Sequence, residues 1–180
     1  PLTFNEKEQK LLKLAAKQRM NTDLRRSIFC IIMGSDDCQD AFEKLVRSEM
    51  LRGKSEREVV RVLVHCCGTE KSYNPFYCHL AKRICEYQNK SKFTFQLTFW
   101  DTFKQFDDMK ARKAANLAKL LAELLKEQIL NINVLKVIDI SPNDMPETAI
   151  IFLTILFSNI FESLEDSSAV TDLFKRGEPS

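Results

Sequence analysis

The chain has 180 residues and a formal net charge of +2, and 44% of its residues are hydrophobic while 29% are charged. This composition is that of a folded globular domain, and the near balance of charge gives no electrostatic reason to favour nucleic acid as the main ligand. The longest apolar stretch, Ala149 to Phe157, is too short to span a membrane, which takes about 20 apolar residues.

The pattern divides the chain into an N-terminal helix or linker over 1–20 and one helical domain over 21–180. The chain begins at Pro1, shortly before a helical pattern that continues to about Gln18. We therefore interpret it as a fragment of a longer protein, whose targeting signals would lie elsewhere.

Residues 22–87 predict four amphipathic helices in succession, because apolar residues recur at i, i+3, i+4 and i+7 between capping residues, glycines and prolines. The predicted starts are Thr22 or Asp23, Ser35 with Asp36 and Asp37, a capping box of Ser55 and Glu58, and Asn74–Pro75. The glycines Gly34, Gly53 and Gly68 are the predicted ends of the first three helices.

The second half of the chain predicts further helices separated by short polar segments. A linker is expected at Lys90–Lys92, followed by a helix from Thr94 whose phenylalanines have helical spacing, and then a turn at Asp107–Lys110. The later predicted elements are a helix through Ala114, Leu117, Ala118, Leu121 and Leu125, a short helix from Asn133 to Ile138, a loop at 141–144, a long apolar helix from Pro146, and a last helix from Asp166 to Phe174.

The hairpins of this pattern begin near residues 22, 55, 94 and 133, a period of about 40 residues with two helices in each unit. Such a period is typical of HEAT-like solenoids, and no segment alternates as a strand does. The expected fold is all-α, a right-handed superhelix of antiparallel helical hairpins, and such arrays usually form binding surfaces.

Catalysis and metal binding are poorly supported by the residue pattern, so the chain is not expected to be an enzyme or to hold a cofactor. His65, Cys66, Cys67, Cys78 and Cys85 lie close in sequence, but their spacing is not that of zinc ligands, which are usually two to four residues apart around a tight turn. The cysteines follow the apolar stripes instead, which predicts reduced core thiols and an intracellular compartment.

Two basic segments are candidates for interactions. Arg25 and Arg26 oppose the dipole of a helix that starts beside them, so a carboxylate of a neighbouring hairpin is an expected partner. The residues Arg47, Arg52, Lys54, Arg57 and Arg61 form a second basic segment, which predicts either contacts with RNA phosphates or an ordinary solvated face.

Five segments of the chain resemble the MA-3 domain family, the HEAT-like module of initiation factor 4-gamma and of programmed-cell-death protein 4. They are Thr22–Cys30 with the pattern Thr-Asp-x-Arg-Arg-x-Ile-Phe-Cys, Asp40–Leu45, Tyr73–Tyr77, Phe95–Asp101 and Leu135–Ile138. The resemblance covers roughly residues 18 to 140. The Tyr-Asn-Pro-Phe-Tyr segment favours the nucleolar branch of the family over its splicing-associated branch.

The resemblance implies a non-catalytic adaptor that binds a DEAD-box RNA helicase of the initiation factor 4A type during maturation of small-subunit ribosomal RNA, in the nucleus and nucleolus. In this family an acidic turn, with the pattern acidic–apolar–x–apolar–Asp–x–Pro, contacts the helicase. The corresponding residues here are Asp107, Asp108, Met109 and Lys110. Lys110 lies near the second acidic position and the proline is missing, which leaves open whether the same partner is bound with the same affinity.

Three alternatives remain open at this stage. Asp107 and Asp108 have a purely structural explanation as stabilisers of the helix that follows, each favourable by about 0.3–1 kcal/mol. The domain is alternatively an RNA-binding module that contacts pre-ribosomal RNA. It is also a candidate for packing on an upstream domain of the same protein, since the helix from Pro146 is apolar almost all round.

Overall fold

The structure, a computed structural model, describes residues 4–141, 143–163 and 167–177. Within these ranges the chain forms nine α-helices and two short 3-10 helices, with no strand. The α-helices are α1 (Phe4–Lys17), α2 (Asp23–Gly34), α3 (Cys38–Arg47), α4 (Ser55–Thr69), α5 (Phe76–Tyr87), α6 (Lys90–Phe103), α7 (Ala111–Lys126), α8 (Glu147–Ser163) and α9 (Ser167–Lys175). The 3-10 helices are Phe106–Asp108 and Ile132–Val137. The predicted all-α, HEAT-like fold is confirmed.

Helix α4 lies at the centre of the packing and contacts α2, α5, α6 and α7. Nine of its residues are buried, from Glu56 to Gly68, because apolar side chains occupy several faces of the helix rather than one stripe. Outside this centre, α1 packs on α2, α3 on α5, and α8 on α7. A single core of buried residues therefore extends from Ala15 of α1 to Leu173 of α9.

Buried hydrogen bonds fix both ends of α4. At its start, the carboxylate of Glu56 accepts hydrogen bonds from Ser91 Oγ at 2.7 Å and Thr94 Oγ1 at 3.1 Å, which tie α4 to α6. At its end, Asn116 Nδ2 of α7 donates to the carbonyls of Cys67 at 3.2 Å and Glu70 at 2.9 Å. Buried polar groups are stable in a core only when they find partners in this way.

Several predicted helix starts and contacts are confirmed. Thr22 Oγ1 accepts a hydrogen bond from the backbone N–H of Arg25 at 3.1 Å, and Asp37 Oδ1 accepts one from Asp40 at 2.8 Å. The expected carboxylate partner of Arg25 is Glu58 of α4, whose Oε2 lies 2.7 Å from Arg25 Nε.

That ion pair explains why the predicted capping box is wrong. Glu58 is engaged with Arg25, and the hydroxyl of Ser55 donates to the carbonyl of Arg52 rather than accepting from the helix start. The linker expected at Lys90–Lys92 is also wrong, because these residues form the first turn of α6 and bury Ser91 against Glu56.

The remaining differences concern helix ends. Helix α3 ends at Arg47, six residues before Gly53, and Gly68 lies inside α4 rather than after it. The short helix expected from Asn133 is a 3-10 helix, and the last helix begins at Ser167, while Asp166, its predicted start, lies outside the described residues. Among the described helices, none has both the length and the apolar character that crossing a bilayer requires.

The two hydrogen bonds of Asn116 give a test of this packing. We expect Asn116→Ala to lower the free energy of unfolding by about 2 kcal/mol, because the buried carbonyl of Cys67 loses the amide that donates to it. Urea denaturation followed by circular dichroism measures the change. The control Asn143→Ala, at an exposed loop position, should change stability by less than about 0.5 kcal/mol. Equal effects of the two changes would contradict a structural role for Asn116.

Candidate partner-binding surface

Two buried side chains anchor the turn between α6 and α7 in the core. Phe106 is 5% exposed and Met109 is 8% exposed, so they anchor the turn before and after its two aspartates. The ring of Phe106 stacks on Phe103 at a centroid distance of 5.7 Å and meets Phe152 of α8 edge to face at 5.4 Å. The hydroxyl of Thr148 donates to the carbonyl of Phe106, which joins the turn to α8 as well.

Three of the four predicted site residues are exposed on this turn. Asp107 and Asp108 lie in the 3-10 helix between the anchors, and Lys110 follows Met109 directly before α7. Neither aspartate carboxylate forms a hydrogen bond or ion pair with another described residue. Met109 differs from the other three, because its side chain is buried and supports the turn from inside.

The structural explanation of the two aspartates finds little support in the contacts of α7. Lys110 occupies the N-cap position and makes no capping hydrogen bond through its side chain, and the first turn of the helix contains no acidic residue. Instead Arg112 and Lys113 lie there, where positive charge is unfavourable.

A groove of about 390 Å³ lies on one side of the turn and carries negative charge on apolar walls. Its lining includes Trp100, Asp107, Val137, Asp139, Asp144 and Pro146, and we name it the acidic groove. The indole N–H of Trp100 donates to the carbonyl of Val134 at 2.9 Å and so holds the 3-10 helix that forms one wall.

Asp139 is held in its ionised form at this groove. Its Oδ1 accepts hydrogen bonds from the hydroxyl of Ser141 at 2.7 Å and from the backbone N–H of the same residue at 2.9 Å. These bonds favour the charged carboxylate and lower the pKa of Asp139 below its ordinary value. Lys104 is the basic residue of this lining, so carboxylates outnumber cations here.

The other side of the turn carries the opposite charge. Three adjoining grooves there share Gln105, and together we name them the basic groove. Their basic lining residues are Arg19, Arg25, Arg61, Lys104, Lys110, Arg112 and Lys113, against the two carboxylates of Asp101 and Asp108. The turn that carries the predicted site therefore separates an acidic surface from a basic one.

Most of this basic groove cannot be recognised from the sequence, because its residues come from distant parts of the chain. Of the basic segment at 47–61, Arg61 lines it, whereas Arg52 pairs with Glu49 at 3.1 Å on the surface. One local signal was available. Lys110, Arg112 and Lys113 oppose the dipole of α7, in the way that Arg25 opposes that of α2.

The cysteines are core residues. Cys66, Cys67, Cys78 and Cys85 are buried and unpaired, and burial raises the pKa of Cys66 to about 12 and that of Cys78 to about 11. Protonated thiols are poor nucleophiles and poor metal ligands. Within the described ranges no three His, Cys, Asp or Glu side chains come together as a metal site would need.

Comparison with known proteins places the sequence among helical adaptor domains. Residues 24–131 match the model of the MA3 domain. The chain is 44% identical over 161 residues to nucleolar MIF4G domain-containing protein 1 of Homo sapiens, which covers 89% of this chain and 19% of that protein.

More distant relatives extend the comparison. Suppressor of glycerol defect protein 1 of Schizosaccharomyces pombe is 34% identical over 175 residues, 92% of this chain and 22% of that protein. The pre-mRNA-splicing factor CWC22 homolog of Drosophila melanogaster is 29% identical over 139 residues, 77% of this chain and 10% of that protein. The chain thus spans about a fifth or less of the length of these three relatives.

His65, which lines the basic groove beside Lys113, makes the stability of the fold depend on pH. Burial, and then the charge of Lys113, lower the pKa of His65 below 6.5. The unfolded chain therefore takes up this proton at a higher pH than the folded chain, so this histidine destabilises the fold as pH falls below about 6.5. We expect His65→Gln to reduce the fall in melting temperature between about pH 7 and pH 5.

Thermal melts of the variant and of the unchanged chain over this pH range measure the effect. Glutamine keeps a hydrogen-bonding group near Gln18, whose Oε1 lies 3.2 Å from His65 Nε2. The control is His79→Gln, which removes an exposed histidine on α5. The interpretation fails if the His65 variant and the control show the same pH dependence as the unchanged chain.

Proposed function

The chain belongs to the MA3 domain family, and from this we propose that it is a non-catalytic adaptor that binds a DEAD-box RNA helicase of the initiation factor 4A type in small-subunit ribosome assembly. The contact that we propose is made by Asp107 and Asp108, with Lys110 beside them and Met109 holding the turn. The partner would supply basic residues to this acidic turn.

The proposal depends on one observation, that the two aspartates are exposed and have no partner among the described residues. Both carboxylates are exposed and have no partner among the described residues, although Phe106 and Met109 hold the backbone that carries them in the core. A fixed turn loses little entropy when it binds, so its charges are preorganised for a basic partner. Complementary charge of this kind mainly sets the specificity and the rate of association.

The acidic groove extends the proposed contact. Asp139 and Asp144 line it together with Asp107, and the apolar side chains of Trp100, Val137 and Pro146 form part of the same lining. A basic partner segment with apolar side chains would find both kinds of contact here. Interfaces of this composition, with an apolar centre and a charged rim, are common in protein complexes.

The names of the relatives support the place of action that we propose. The relative of Homo sapiens is named as a nucleolar protein, and the relative of Drosophila melanogaster as a pre-mRNA-splicing factor homolog. Identity is 44% to the first and 29% to the second, which favours a nucleolar place of action over a role in splicing.

A second candidate function is packing on another domain of the same protein. It is favoured by the outer face of α8 and α9, where Ile150 is 51% exposed, Phe161 is 52% exposed and Phe174 is 40% exposed. The ring of Phe161 stacks on Phe157 and on Phe174, so these aromatic side chains form a continuous apolar surface. Apolar surfaces of this kind often mark interfaces.

Calorimetric titration with initiation factor 4A-type helicases tests the primary proposal. We expect the unchanged chain to bind and Asp107→Lys/Asp108→Lys to weaken binding at least tenfold, because two attractive charge pairs become repulsive, a change of about 1.4 kcal/mol or more. Asp139→Lys/Asp144→Lys should weaken binding to a smaller extent, since it alters the groove and leaves the turn unchanged.

The matched control is Asp36→Lys/Glu43→Lys, which makes the same change of charge at α3 and the loop before it, outside both grooves. It should bind as the unchanged chain does. Binding that survives reversal of Asp107 and Asp108 would refute the turn as the contact. Absence of any helicase binding by this chain would refute the adaptor proposal and favour packing on another domain.

A further inference from the structure

We propose that the basic groove beside the α6–α7 turn binds a single strand of RNA through its phosphates and ribose hydroxyls. The groove adjoins the acidic turn, since Asp108, Met109 and Lys110 line one end of it, but the inference does not depend on helicase binding. It rests on four observations: cations without internal partners, their position at a helix start, a partly buried lysine, and a lining rich in uncharged hydrogen-bonding groups.

Internal ion pairs account for only part of the positive charge of the groove. Arg25 pairs with Glu58 at 2.7 Å, whereas Arg61 and Lys104 lie 3.9 to 4.0 Å from their carboxylates and are half or more exposed. Exposed pairs of that length contribute little. The four cations Arg19, Lys110, Arg112 and Lys113 form no ion pair with any residue that the structure describes.

Three of these cations meet at the start of α7. Lys110 is its N-cap residue, and Arg112 and Lys113 follow in its first turn, where the unpaired backbone N–H groups already give a positive potential. The arrangement weakens the helix in the free protein. A bound phosphate would reduce the repulsion among the three cations and would interact favourably with the helix dipole. The charges that destabilise α7 in the free protein would therefore stabilise the complex.

Lys113 is a partly buried cation that has no carboxylate partner among the described residues. Its side chain is partly buried and lies over Gly68 of α4, where an added Cβ would come within 2.9 Å of Lys113 Cγ. Burial lowers the pKa of Lys113, because the ammonium loses water and gains no carboxylate in return. A phosphate oxygen would supply the missing countercharge.

The rest of the lining favours a nucleic acid over an acidic peptide. Gln18, His65, Thr69 and Gln105 offer uncharged hydrogen-bonding groups between the cations, as ribose hydroxyls and phosphates require. The lining has no phenylalanine, tyrosine or tryptophan side chain on which bases would stack. Binding through the backbone alone predicts little dependence on base sequence and strong dependence on salt.

The test uses a fluorescent single-stranded RNA of about 12 nucleotides and measures anisotropy over a range of salt concentrations. We expect saturable binding at low salt that weakens linearly on a log–log plot. Arg112→Glu/Lys113→Gln should weaken binding at least tenfold and reduce the slope of that plot by about 1.4, since about 0.7 of a counterion is released for each phosphate contact.

The matched control is Lys175→Gln/Arg176→Glu, which makes the same change of charge on exposed residues outside the groove. It should bind RNA as the unchanged chain does. Arg112→Glu alone should also weaken binding and, because it places a carboxylate at the start of α7, should not lower the melting temperature. This single variant keeps the test valid if the double variant unfolds.

Four results would overturn the proposal. They are the absence of saturable RNA binding at low salt, equal loss of binding in the control, affinity for polyglutamate as high as for RNA, and equal affinity for a DNA strand of the same sequence. The third result would indicate an acidic protein as the ligand, and the fourth would remove the role of the ribose hydroxyl.

Discussion

The position of α4 depends on two sets of buried hydrogen bonds, and the rest of the molecule depends on that position. Glu56 binds the hydroxyls of Ser91 and Thr94 at the start of the helix, and Asn116 binds two carbonyls at its end. The first set joins α4 to α6 and the second joins it to α7. Because α6 and α7 are the two helices that the candidate turn connects, the same hydrogen bonds fix the two ends of the turn. The surface that we propose as functional is therefore positioned by polar groups in the core.

Negative and positive side chains are concentrated in different grooves beside that turn. Carboxylates and apolar side chains lie on one side, and unpaired lysines and arginines lie on the other. A domain with this arrangement can hold a basic protein surface and a negatively charged strand next to each other. Both binding modes would use exposed groups on rigid helices, which suits an adaptor better than a catalyst. The small net charge of the whole chain conceals this division, since its 27 basic and 25 acidic residues nearly cancel.

Local sequence pattern predicted those parts of the fold that local forces determine. The cap at Thr22 and the apolar stripe of α7 follow from neighbouring residues, and both were found. Tertiary contacts decided the cases that were wrong. Glu58 left its expected capping role because Arg25 lies beside it in space, and Ser91 became helical because it bonds Glu56 from α4. The candidate turn could be proposed only through family resemblance, and the basic groove joins residues of α2, α4, α6 and α7 that no sequence window contains.

The buried thiols have a practical consequence for the study of this domain. Cys66, Cys67, Cys78 and Cys85 lie in α4 and α5, next to the core that fixes both grooves, and burial raises the pKa of each thiol. A thiol-reactive reagent would consequently reach them only in molecules whose central helices have opened. Once the partly exposed Cys30 and Cys38 have reacted, the rate at which the four buried thiols are modified would report how often the central helices open. A tightly bound partner should suppress this opening and therefore slow the modification of the four thiols.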